Sequence, residues 1–154
     1  MTRKINDWGS NILAFTLVII INALANIIPL GGQGTGAVSA KYPSLFTPAG
    51  YTFSIWGLIY FALIAYVIYQ ALPAQRDNKL LAKITPWFLL SCAANSGWIF
   101  AWHYDALVVS LLLMLVILVS LLRIYFLLTP ASGGDRWFIN LPFSIYTGWI
   151  TVAT

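Results

Sequence analysis

The sequence predicts an all-α fold, an integral-membrane bundle of five transmembrane helices that forms one domain over residues 1–154. Three observations carry this. Hydrophobic residues make up 60% of the chain and charged residues only 8%, where an average soluble domain has roughly 25% charged residues. There is too little polar surface to coat a soluble globule, and the mean hydropathy of +0.85 agrees. Apolar runs recur at the length of about 20 residues that crosses a bilayer core. The Lys and Arg residues lie mostly between those runs rather than in one patch, as topology determinants do.

The first span reads from about Trp8 to Leu30. Asn11, Asn22 and Asn26 fall close to one helical face, since eleven residues is nearly three turns and four is about one. Asn is costly in hydrocarbon without a partner, so this face points into the bundle, either as interhelical hydrogen-bonding glue or as the polar wall of a ligand cavity. The apolar run after Arg3-Lys4 is too long for a signal-peptide core and is read as a retained span. Gly31-Gly32-Gln33-Gly34-Thr35-Gly36 opens a flexible loop that continues to Pro48. At roughly 18 residues it is the longest connection, a length often associated with function. It is not a phosphate loop, because no GK[ST] follows and no strand precedes it.

The second span reads from Pro48, tolerated in a first helical turn, to about Leu72, and contains Tyr51, Trp56 and Tyr60. After a basic loop comes the third, about Ile84 to His103, in which Asn95, Trp98 and Trp102 share a face by their i, i+3, i+7 spacing. Trp102 to Asp105 reads as a tight interfacial turn. The fourth span, about Ala106 to Leu128, is the most uniformly apolar and the best suited to lipid, with Arg123 near enough to its end to snorkel. The fifth begins near Trp137 and still runs at Thr154, without an interfacial polar end, which leads us to expect a truncated sequence.

If five spans alternate, Arg3, Lys4, Arg76, Lys79, Lys83, Arg123 and Arg136 share one side and Lys41 alone takes the other. That asymmetry predicts a cytoplasmic N-terminus and an outside first loop. Scattered cations argue against nucleic-acid binding. With one Cys and one His, neither an intrachain disulfide nor a Cys/His metal cluster can be built. The chain has no Glu, and His103 and Asp105 lack a placed nucleophile, so no enzyme is expected. No Asp, Glu or Lys lies in a span core, which argues against ion-coupled transport.

Three segments resemble the TspO/MBR family, the tryptophan-rich sensory and translocator proteins. Phe46-Thr47-Pro48-Ala49-Gly50-Tyr51-Thr52-Phe53-Ser54-Ile55-Trp56-Gly57-Leu58-Ile59-Tyr60 is similar to the opening of the family's second helix, with Ala49 and Tyr51 where Pro and Trp are usual and one residue fewer before Trp56. Asn95-Ser96-Gly97-Trp98 is similar to the N-x-x-W segment of the third helix. Pro142-Phe143, Tyr146 and Trp149 to Thr154 resemble the fifth-helix pattern, where Tyr146 keeps the spacing from the proline and Trp149 the spacing to Ala-Thr. The resemblance implies a five-helix bundle that binds tetrapyrroles such as protoporphyrin IX, or other hydrophobic ligands, in a cavity under the first loop, with sensing or regulation in a bacterial plasma membrane as its context. Some members are linked to porphyrin breakdown by indole photochemistry, which would fall here on Trp56 and on Trp149 or Tyr146.

The residues give a physical case of their own. Trp8, Trp87, Trp102 and Trp137 lie near span ends, as interfacial anchors do. Trp56, Trp98 and Trp149 lie deeper, where an indole can stack on a flat ligand. The expected ligand-binding set is Asn22, Asn26, Pro48, Trp56, Tyr60, Asn95, Trp98, Tyr146 and Trp149. The expected partners are the bilayer and a hydrophobic small molecule, with a homodimer as a possible assembly and no required cofactor. The competing functions are passive transport of lipophilic ligands and a purely structural membrane subunit.

Overall fold

The structure, a computed structural model, describes residues 3–28, 30–42, 49–128 and 133–154. They form six helical segments and, among the described residues, no strand. The segments are α1 (Ile5–Ile27), α2 (Thr35–Ala40), α3 (Ile55–Ala71, entered through a tight 3₁₀ turn at Gly50–Ser54), α4 (Lys79–His103), α5 (Leu107–Leu127) and α6 (133–153). Five membrane-spanning helices were expected; six segments are described, and the additional one is only six residues long. The extra helix, α2, lies inside the first loop, which the glycine content had marked as flexible. Pro48 lies outside the described residues.

Three helical stretches are long and apolar enough to cross a membrane: Ile5–Ile27, Gly50–Ala71 and Leu107–Leu127. α1 starts three residues before the expected Trp8. α4 starts at Lys79 rather than near Ile84, because Asn78 caps it by accepting from the Leu80 amide, as short polar side chains do at helix starts. α6 begins as α-helix at Gly133–Asp135, widens to a π-turn over Arg136–Asn140 and returns to α over Leu141–Ala153. Pro142 explains the widening. Its ring would strike the carbonyl four residues back, and an extra residue in the turn relieves such a clash.

The five longer helices pack in a closed ring in the order α1, α4, α5, α6, α3 and back to α1. Fully buried Tyr66, Phe88 and Phe143 pack together at the middle, with ring centroids 4.7 to 5.9 Å apart. These edge-to-face contacts join α3, α4 and α6. α5 turns Val108, Leu112, Val119 and Phe126 outward, but it is not the helix most open to lipid: 33% of its apolar stretch is buried, against 28% for α1 and 22% for Gly50–Ala71.

At the end opposite α2, Arg3 is buried. Its Nε donates to Asp7 at 3.0 Å, and its guanidinium also donates to the backbone and side-chain oxygens of Gln70. Asn11 donates to Gln70 and to Thr85. Arg3 is thus an internal tie between α1, α3 and α4, buried rather than solvated.

Candidate functional site

The α2 end of the ring holds a cavity of about 500 Å³, within the size range of small-molecule sites. Its walls come from α1 (Ile19, Asn22, Ala23, Asn26), from Phe53 to Tyr60 at the start of α3, and from Trp98 and Ile99 of α4. Gly34, Thr35 and Gly36 close it from the first loop. Beside Gly57 there is open space where a side chain would sit, and the neighbouring Ala23 and Asn26 are exposed, so the cavity opens between α1 and α3.

Trp56 is the hub of the aromatic wall. Its ring centroid lies 5.5 Å from Tyr60, 5.7 Å from Trp98, 5.9 Å from Tyr146 and 6.3 Å from Trp149. Trp98 stacks in turn on Trp102 at 5.9 Å. The i, i+4 spacing of Trp56 and Tyr60 on α3 and of Trp98 and Trp102 on α4 puts each pair on one helical face. Tyr146 and Trp149 come in together from α6, so both positions left open by the fifth-helix pattern meet the same indole.

A polar relay backs this wall. Asn22 Nδ2 donates to Asn95 Oδ1 at 3.0 Å, and Asn95 Nδ2 donates to the Tyr146 hydroxyl at 3.3 Å. The buried Tyr60 hydroxyl lies beside the Asn95 amide without the geometry of a full hydrogen bond. The Trp149 indole N–H is buried with no acceptor among the described residues. Asn22 serves both readings of the Asn face, since it joins α1 to α4 and lines the cavity. Asn11 serves only as glue. Asn26 donates to the Asn22 carbonyl on its own helix and lines the cavity mouth.

Of the expected set, Asn22, Asn26, Trp56, Tyr60 and Trp98 line the cavity directly, while Asn95, Tyr146 and Trp149 stand behind them. Sequence reasoning missed Phe53, Thr35 and the space at Gly57. A signal was present in the glycines at positions 34, 36, 50 and 57, which line the cavity and leave room in it. Trp102 was read as an interfacial anchor, yet it stacks on Trp98 and donates through Nε1 to the Thr35 carbonyl at 3.1 Å.

The first loop is pinned to the α4–α5 turn. Asp105, held at φ +56°, accepts from Lys41 Nζ at 2.8 Å, from the Tyr42 hydroxyl and from Gln33. The hydrogen bond from Lys41, with its positive charge, holds the Asp105 carboxyl below its ordinary pKa. Gly31, at φ +64°, packs so closely that a Cβ there would come within 2.6 Å of the His103 carbonyl oxygen. A side chain would be excluded by both the backbone region and the contact.

Fold and site together define a helical membrane protein with an indole-walled internal cavity closed by its first loop. The family model for TSPO-like proteins matches residues 8–154, and the chain belongs to that family. No curated protein and no solved structure matches it.

Proposed function

We propose that this TSPO-like protein spans the membrane five times and binds a tetrapyrrole such as protoporphyrin IX, or another flat hydrophobic ligand, in the cavity beneath its first loop. The observation that carries the reading is the convergence on Trp56 of Tyr60, Trp98, Tyr146 and Trp149 beside an open cavity. A conjugated macrocycle is held by aromatic faces, and a few placed polar groups fix its orientation. Asn22, Asn26 and the Tyr60 hydroxyl would supply those groups. Binding serves sensing, regulation or handling of the ligand rather than catalysis, and no cofactor is required.

In this reading α4 and α6 complete the five spans. α4 tolerates Asn95 and Ser91 because both are buried in the ring and hydrogen-bonded within it, which is where polar groups in a membrane helix belong. The host is a bacterial plasma membrane, and a homodimer would form through the outward helical faces.

Titration of the purified protein with protoporphyrin IX, followed by intrinsic Trp emission, tests the site. Saturable quenching is expected, because several indoles lie at or next to the cavity. Its absence would leave a structural membrane subunit as the better reading. Saturable binding accompanied by protein-dependent equilibration of porphyrin across vesicles would favour passive transport.

A further inference from the structure

We propose that Lys83, Trp87 and Arg123 form a binding site for the headgroup of an anionic phospholipid, on the outer surface of the α4–α5 hairpin and at the opposite end from the cavity. Arg123 lies four residues before the end of α5, the most apolar helix of the chain. A cation in that position can extend along its own helix toward water. Instead the Arg123 guanidinium reaches across to α4 and sits over the Trp87 ring, 5.2 Å from the centroid. A guanidinium seated on an indole is oriented by the ring and keeps N–H donors at its edge for a second partner.

No carboxylate takes that role among the described residues. Asp7 pairs with Arg3, Asp105 pairs with Lys41, Asp135 accepts from Tyr69, and Asp77, in the turn before α4, makes no ion pair with Arg123. Lys83 lies one turn before Trp87 on α4 and is exposed, as is Pro86 between them. Residues four apart share a helix face, so Lys83 brings a second cation to the helix face that carries the indole. A guanidinium on the ring and a Lys on the same helix face suit a phosphodiester, which Arg can hold through paired N–H groups and Lys as a point charge.

The surroundings favour a lipid over a free anion. From Arg123 an exposed aliphatic strip runs along α5 through Val119, Leu115 and Leu112, and Leu90 is exposed on α4 one turn beyond Pro86. Cations at one end of an apolar track complement a molecule with an anionic head and hydrocarbon tails. The same end of the ring carries Lys4, Arg76, Lys79 and Arg136, which would draw it toward an anionic leaflet in a general way. The Arg123–Trp87 pair adds a defined place for one headgroup.

The test is thermal unfolding of the full chain in neutral detergent during titration with phosphatidylglycerol, with phosphatidylcholine of matched chains, or with glycerol 3-phosphate. The expected result is a saturable rise in melting temperature with phosphatidylglycerol alone. Arg123→Gln should raise the half-saturating concentration about tenfold, as loss of a charge-assisted hydrogen bond does. Arg76→Gln removes the same charge from the same end and should leave that concentration unchanged. Should Arg123→Gln fail to fold, Lys83→Gln, at an exposed position, carries the same expectation. An equal response to both phospholipids, an equal loss in the Arg76 and Arg123 variants, or a full effect of glycerol 3-phosphate would each overturn the proposal.

Discussion

Trp56 touches four aromatic side chains and borders the cavity, so its replacement tests the aromatic wall at its centre. Trp56→Leu should weaken protoporphyrin binding about tenfold, because each aromatic contact adds about 0.5–1.5 kcal/mol beyond its buried area and a ligand stacked there would lose at least one. A quenching titration that returned the wild-type affinity would remove Trp56 from the site. This residue was legible in the sequence, because an indole two turns inside an apolar span lies too deep for an interfacial anchor. Arg3 was not. A cation two residues from the N-terminus and ahead of a span has the local pattern of a solvated topology marker. What buries it is Gln70, at the far end of another helix, and no spacing within the first helix encodes that meeting. Arg3→Ala should therefore destabilise the fold by about 2 kcal/mol, less than the loss of one partner from a fully buried pair because Asp7 keeps some access to water. Denaturant unfolding in detergent reads this directly, and a change below about 0.5 kcal/mol, usual for solvated surface substitutions, would show that Arg3 is solvated after all.

At the scale of elements, the first loop departs most from expectation. Its glycines read as flexibility, yet they serve three different ends. Gly31 makes a left-handed turn against the His103 carbonyl, Gly34 precedes α2, and Gly36 lines the cavity. Composition alone cannot separate these uses, because each depends on what lies opposite in the fold. The π-turn of α6 was hidden for a related reason. Pro142 announces a disturbance, but a proline near the start of an apolar run also reads as a plain first-turn proline. The loop's tie to the α4–α5 turn carries a pH dependence. The Asp105 carboxyl is lowered mainly by the hydrogen bond from Lys41, so its contribution is fully present above the ordinary Asp value of about 3.9. That contribution fades as pH falls below the ordinary value and is lost once pH passes the lower folded one. Hydrogen exchange over residues 31–42 should stay protected at pH 5 and open only in stronger acid, while Asp105→Asn should lose most of that acid step. A loop that opens between pH 5 and 7 would assign the transition to another group.

For the whole molecule, hydropathy located the long helices closely, because burial in lipid demands long apolar runs and leaves little freedom in where they lie. The exception is the start of α3, which begins at Ile55 rather than at Pro48. Which helices neighbour one another was not legible. Adjacent spans need not pack together, and α3 and α4, though consecutive, sit apart in the ring with α1 between them on one side. The charge pattern and the ring agree on a further property. Arg3 meets the backbone of Arg76, Arg123 lies over Trp87 a turn from Lys83, and Tyr69 bonds Asp135 next to Arg136. The seven cations that alternation assigns to one side thus gather at one end of the fold, while Lys41 sits at the cavity end. Since Lys and Arg are retained on the cytoplasmic side, the cavity end with its loop should face outward. A reporter fused at Gly34 should read as external, and one in the turn at Asp77 as cytoplasmic. The reverse result would place the cavity mouth on the cytoplasmic side, and any ligand would then have to reach it from inside the cell.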